Sequence, residues 1–168
     1  SAAGSGQDYP SKPIRIITSS AGGGSDFMSR QIGQGISGPL GQPVIVDNRA
    51  TLVAAEAVSR SPPDGYTLQA AGGTLWISPL LQKVPYDVIR DFSPISLLSM
   101  EVNLLVVHPS MPVKSTRELI ALAKTRPGEL NYSAGTAGSP NQLGPELFKA
   151  MAGVNIVAVP YKFIPPTI

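Results

Sequence analysis

Apolar residues come in short bursts along the chain, separated by glycine, proline and small hydroxyl side chains. From Ile14 to Thr18 the run IRIIT is β-branched and bounded by Pro13 and a glycine cluster, which predicts a buried strand rather than a helix. After that cluster, Phe27, Ile32 and Ile36 recur at near-helical spacing, with Ser25 or Asp26 placed to cap the free N–H groups and a helix end expected near Gly38 and Pro39. Val44 to Val46 predicts a second strand. Ala54 to Arg60 is rich in helix formers and stops at Pro62 and Pro63. Tyr66 to Ala70 is a third strand pattern, and Gly72-Gly73-Thr74 leads into a segment ending at Pro79 or slightly beyond.

The same order then returns. Ile95 to Leu98 and Asn103 to Val107 are mainly apolar runs that fit a crossover. Ser115-Thr116-Arg117-Glu118 forms a capping box, with Leu119, Ile120, Leu122 and Ala123 supplying the apolar face of the helix it opens. Pro127-Gly128 ends that helix. Asn131 to Ser133 is a brief strand, the SAGTAGS junction follows, a helix runs from about Asn141 to Met151, and Ile156 to Val159 closes the series. Strands alternating with helices through short glycine-rich turns imply parallel sheets with helices on both faces, so the expected fold class is α/β.

Composition narrows the function. The chain has 168 residues, 42% hydrophobic and 14% charged, which suits a folded domain or two small lobes rather than a disordered tail. Its formal net charge is +2 and its Lys and Arg residues are scattered singly, so no nucleic-acid partner is expected. No apolar run approaches the ~20 residues that cross a bilayer. The absence of cysteine removes disulfides, thiolate nucleophiles and sulfur-ligated metals. Ser1 to Asp8 is small and polar, as a processed N-terminus or an added leader would be.

In an open parallel sheet, ligands bind beyond the carboxyl ends of the strands. Those ends carry Thr18, Ser19, Ser20, Ser133, Thr136 and Ser139, and three glycine-rich junctions are expected to converge there. Glycine lets backbone approach a ligand, and a helix starting at once presents unpaired N–H groups and partial positive charge, which suits an anion. One isolated cluster such as Gly22-Gly23-Gly24 is ordinarily just a tight turn; three of one kind favour a site. TSSAGGGSD lacks GxGxxG spacing and a Walker lysine, leaving dinucleotide binding a poor alternative.

Side-chain chemistry for turnover is missing. His108 is the only histidine and sits between an apolar run and Pro109, a structural position. Asp26, Asp47, Glu56 and Asp64 lie at helix starts or turns, where caps and solvated charges are the ordinary explanation, and no metal-ligand spacing appears. Trp76 suits either a pocket wall or core packing, and Arg49 either a ligand carboxylate or a neighbouring salt bridge.

The ordered set YPSKPIRIIT, GGGSD, LGQPVIVDNR, PPDGYTL, PYDVIRDFSPIS, ELIALAKTRPGELNYSAGTAGS and ELFKAMAGVNIVAVPYK, spanning Tyr9 to Lys162, resembles the receptors of tripartite tricarboxylate transporters, also called the Bordetella uptake family. The resemblance implies a periplasmic-binding-protein-like, two-lobed clamshell closing on a small organic acid, which membrane permease subunits then receive. It implies a periplasmic protein whose signal peptide is gone, with no cofactor, no metal and no enzymatic activity. Residues 1–8 would be leader, 9–100 the N-terminal part of lobe 1, and 101–168 a partial lobe 2. The implied ligand contacts are Ser19, Ser20, Gly22, Gly23, Gly24, Ser25 and Asp26 in the first loop, with Thr74 at the second junction. In the second lobe they are Ser133, Ala134, Gly135, Thr136 and Ser139.

The departures from the family pattern matter as much as the matches. After Arg49 the chain runs directly through Ala50-Thr51-Leu52-Val53, without the PGAGG-type stretch of the family. Ser19-Ser20-Ala21 replaces a proline-rich turn, and after Lys162 the family's continuation is replaced by Phe163 to Ile168. About half of a typical member is thus missing, which predicts open sheet edges and either a fragment or association with a second copy. The alternative to a carboxylate receptor is a truncated interaction module that keeps the fold without a complete pocket.

Overall fold

The computed structural model describes residues 9–100 and 102–161. The expectations placed on Ser1 to Asp8 and on Lys162 to Ile168 lie outside the described residues. The chain divides into two compact units, Ser1–Met100 and Glu101–Ile168.

In the first unit, β1 (Ile14–Thr18) is the centre of a three-stranded parallel sheet in the order β2-β1-β3, with β2 at Val44–Asn48 and β3 at Thr67–Ala70. Ile14, Ile16, Ile17 and Thr18 are buried, as expected of a central parallel strand covered on both faces. Helix α1 (Gly24–Leu40) packs on β1 and β2, and α2 (Thr51–Ser59) packs on β1 and β3. The chain steps from β1 to β2 in one direction and from β2 across to β3 in the other. Right-handed crossovers therefore put α1 and α2 on opposite faces. Helix α3 (Thr74–Leu81) lies against α2. Ala55, Leu75 and Tyr86 form the centre of a cluster with Leu52, Ala71, Val84, Val88 and Phe92 around it. Tyr86 satisfies its buried hydroxyl by donating to the Leu75 carbonyl at 3.1 Å.

Helix α1 corrects its predicted apolar face. Phe27 is 61% exposed, and the buried residues are Asp26, Ser29 and Gly33. Small residues win this face because the helix lies close on the sheet: a Cβ on Gly33 would stand 3.2 Å from Val44 Cγ1. The Ser29 hydroxyl turns inward and donates to the Ser25 carbonyl at 2.6 Å.

In the second unit, β4 (Asn131–Ala134) and β5 (Val157–Pro160) form a two-stranded parallel sheet, with α4 (Thr116–Thr125) and α5 (Pro140–Ala152) as its helices. The capping box opens α4 as expected: Ser115 Oγ accepts the Glu118 N–H at 3.2 Å, and Glu118 accepts the Lys114 N–H. Leu119 and Ala123 are buried. The runs Ile95–Leu98 and Asn103–Val107 join no sheet among the described residues, and Ile95, Leu97, Leu104 and Val106 are exposed.

Candidate functional site

Thr18 organises the carboxyl edge of the first sheet. Its hydroxyl, fully buried, donates to the Ala70 carbonyl at 3.0 Å, and its own carbonyl accepts the Arg49 N–H at 2.9 Å. The ends of all three strands are thereby held level. The adjacent strands β1 and β3 leave this edge toward helices on opposite faces, the arrangement that opens a crevice at an α/β switch point. The first two junctions, Ser19–Gly23 and Ala71–Gly73, flank that position.

At the first junction, Gly22 takes φ +82°, the left-handed region that glycine adopts freely. Helix α1 then starts with Gly23 as its N-cap and no side-chain cap. This corrects the expectation that Ser25 or Asp26 caps the helix. Asp26 lies in the first turn and reaches backward, its Oδ2 accepting the Gly22 N–H at 2.9 Å. Among the described residues, the Gly24, Ser25 and Asp26 N–H groups have no intramolecular acceptor. They are the orphan donors of a helix start, available to an anion.

The Asp26 side chain does not join that set of donors. Its Oδ1 receives Asn48 Nδ2 at 2.9 Å and pairs with Arg30 at 3.0 Å. Burial alone would raise its pKa, but hydrogen bonds from Gly22, Asn48 and Arg30, with the Arg30 charge, hold it below the ordinary carboxylate value. A buried, ionised and fully partnered Asp26 braces the loop from behind. Asn48 and Arg30 were not singled out by sequence reasoning. The available signal was register, since Asn48 ends β2 directly beside Thr18.

At the second junction, Leu75 N–H donates to Gly72 O and Trp76 N–H to Gly73 O, while the half-buried Thr74 keeps its hydroxyl without a partner among the described residues. Trp76 is half exposed, which removes the core-packing alternative. Arg49 takes the salt-bridge alternative, donating to Asp47 Oδ2 from Nε at 3.1 Å and from Nη2 at 2.8 Å.

The third junction belongs to the second unit. Gly138 donates its N–H to Gln142 Oε1, Ser139 N–H donates to Thr136 O, and Ser139 caps α5 without a side-chain hydrogen bond. The Ser139 hydroxyl is buried and without a partner among the described residues. Gly135 lies so close to it that an added Cβ would stand 2.5 Å from Ser139 Oγ. Ser133 and Thr136 are exposed and Ala134 is buried, its carbonyl accepting the Tyr161 N–H. Pro140 at the start of α5 donates nothing, so this end offers loop amides and hydroxyls in place of a full helix-start set. Among the described residues, no group of three or more His, Cys, Asp or Glu could hold a metal ion, and no helix is long and apolar enough to cross a membrane.

Residues 28–167 match the tripartite tricarboxylate transporter family receptor, TctC, and the chain belongs to that family. BugT of Bordetella pertussis is 34% identical over 171 aligned positions, covering 98% of this chain and 52% of BugT. Among solved structures, R. palustris Rpa4515 with adipate matches with a TM-score of 0.85 at 36% identity, covering 92% of this chain and 54% of its own. MatC from Rhodopseudomonas palustris with bound malate matches with a TM-score of 0.77 at 25% identity, covering 91% of this chain and 54% of MatC. The chain spans about half the length of the curated relatives it matches. Its α/β class is the one expected from the strand and helix pattern, and its periplasmic-binding-protein-like fold is the one implied by the family resemblance.

Proposed function

We propose that the chain carries the carboxylate-reading elements of an extracytoplasmic receptor, which captures a small organic acid and presents it to the permease subunits of a tripartite tricarboxylate-type transporter in the periplasm. The observation that carries this reading is the set of Gly24, Ser25 and Asp26 amides at the start of α1, unpaired among the described residues, on a loop braced by Asp26 and Asn48. The adipate and malate bound by two relatives support a carboxylate as the ligand class. Such amides bind an acid group by hydrogen bonding and the helix dipole, with no reactive side chain and no turnover. Ser19, Ser20 and Thr74 are the further proposed contacts of the first unit; in the second unit, taken by itself, Ser133, Gly135, Thr136 and Ser139 are the proposed acid-reading groups.

Titration calorimetry and thermal shift against adipate, malate, an aromatic acid and an amino acid test the reading. Saturable binding that raises Tm, with the acid recovered unchanged, is the expected result. No binding to any acid overturns it. The exposed, unpaired Ile95–Leu98 and Asn103–Val107 runs favour a second reading, an interaction module without a working pocket. A stable association in solution with no acid bound is its signature.

A further inference from the structure

We propose that Asn48 is the positioning residue of the first junction, setting the α1 amides for anion capture without touching the ligand. This rests on the carboxylate-receptor reading above. The Asn48 Nδ2 group donates to Ser19 O at 2.8 Å and to Asp26 Oδ1 at 2.9 Å. One amide nitrogen thus grips the residue where the loop leaves β1 and the first turn of the helix where it ends. Since Asn48 is itself fixed in β2 beside Thr18, the loop is referenced to the sheet and not only to its own turns.

The orientation of that amide is determined by its neighbours. Arg30 Nη2 donates to Asn48 Oδ1 at 2.9 Å, while two acceptors face Nδ2. Turning the amide over would set NH₂ against the guanidinium and oxygen against a carbonyl and a carboxylate. The same arrangement neutralises Asp26, a negative charge that would otherwise oppose an incoming anion from behind the loop. The other charged groups beside Asn48, Asp47 and Arg49, pair with one another. Among the described residues, Asn48 therefore meets Asp26 and Arg30 as its charged hydrogen-bond partners.

Two variants separate positioning from mere stability. Asn48→Asp keeps the shape but turns the donor into an acceptor facing Asp26; Asn48→Ala removes all three side-chain hydrogen bonds. Adipate and malate binding should weaken about tenfold or more in both at neutral pH. For Asn48→Asp alone, the deficit relative to the unsubstituted chain should shrink as pH falls from neutral into the carboxylate range, because two facing carboxyls then share a proton that restores one donor. Hydrogen exchange of the Gly22 amide in the ligand-free protein is the independent readout and should accelerate in both variants. Binding within about twofold of the unsubstituted chain, equal pH profiles for the two variants, or unchanged Gly22 exchange overturns the proposal. If the unsubstituted chain binds none of the four kinds of acid tested above, the receptor reading falls by itself, and the exchange measurement still decides whether Asn48 sets the loop.

Discussion

The Asp26 carboxylate accepts the Gly22 backbone N–H at 2.9 Å, so the loop closes on its own helix through a buried anion instead of through a capping hydroxyl. A negative group placed in the first turn also complements the helix dipole, and its remaining oxygen is held by Asn48 and Arg30. The local consequence is a braced turn after which the Gly24, Ser25 and Asp26 amides stay unpaired among the described residues.

Asp26→Asn should lower stability by about 1–3 kcal/mol, since it weakens charge-assisted bonds at a nearly buried site. Asp26 titrates below its ordinary value of 3.8 despite burial, because Gly22, Asn48 and Arg30 favour the charged form. Its contribution is complete above that ordinary value and is lost as pH falls through the lower folded value. Thermal melts from neutral to acid pH should show a shallower acid limb in Asp26→Asn than in the parent. Identical limbs would refute the assignment.

Gly22→Ala and Gly135→Ala should fail for different reasons. At Gly22 there is open space around a Cβ, but φ is +82°, so the cost is backbone strain of about 1–2 kcal/mol. At Gly135 the backbone is ordinary and the Cβ would collide with Ser139, so the third junction must shift. Denaturant midpoints measure the first. Altered Ser139 amide shifts, without change at the α1 amides, mark the second.

Tyr132 donates its hydroxyl to Glu146, which Lys149 also holds. Burial, then the hydrogen bond and charge of Glu146, push the phenol from 10.0 up to about 12. A raised pKa favours the protonated form, so this contribution is intact below pH 10 and is lost as pH climbs toward 12. Ultraviolet titration should find a late-ionising component to which buried Tyr86 also contributes, and one tyrosine's share of it should disappear in Tyr132→Phe. An undiminished component in that variant would assign the signal elsewhere.

Leu75→Ala and Leu104→Ser form a contrasting pair. Leu75 is buried in the Ala55–Tyr86 cluster, and truncation should cost about 2–5 kcal/mol. Leu104 is 80% exposed, so its change should stay within about 0.5 kcal/mol. A large loss at Leu104 in urea melts would mean that its run is packed in solution.

Much of the fold was legible because its signals are local. The β-branched Ile14–Thr18 run, the Ser115 capping box and the glycine-rich breaks each reflect steric or hydrogen-bonding preferences satisfied within a few residues. Helix boundaries were less legible: α1 begins at Gly24 and α2 at Thr51, ahead of the periodic stretches that revealed them, because orphan N–H groups do not need a capping side chain to form a first turn. The apolar runs around Ile95 and Leu104 fit a crossover, but apolar composition does not say which backbone a run would pair with, and neither joins a sheet among the described residues.

By itself, then, the sequence determined the alternation of strands and helices, the family, and the places where glycine frees the backbone beside small hydroxyls. Only the tertiary structure decided that Phe27 faces outward, that Asp26 turns back to Gly22, and that Asn48 and Arg30 complete the brace. The physical reason is distance along the chain. Asn48 meets Ser19 across 29 positions, and such a bond follows from sheet register, which no local preference encodes.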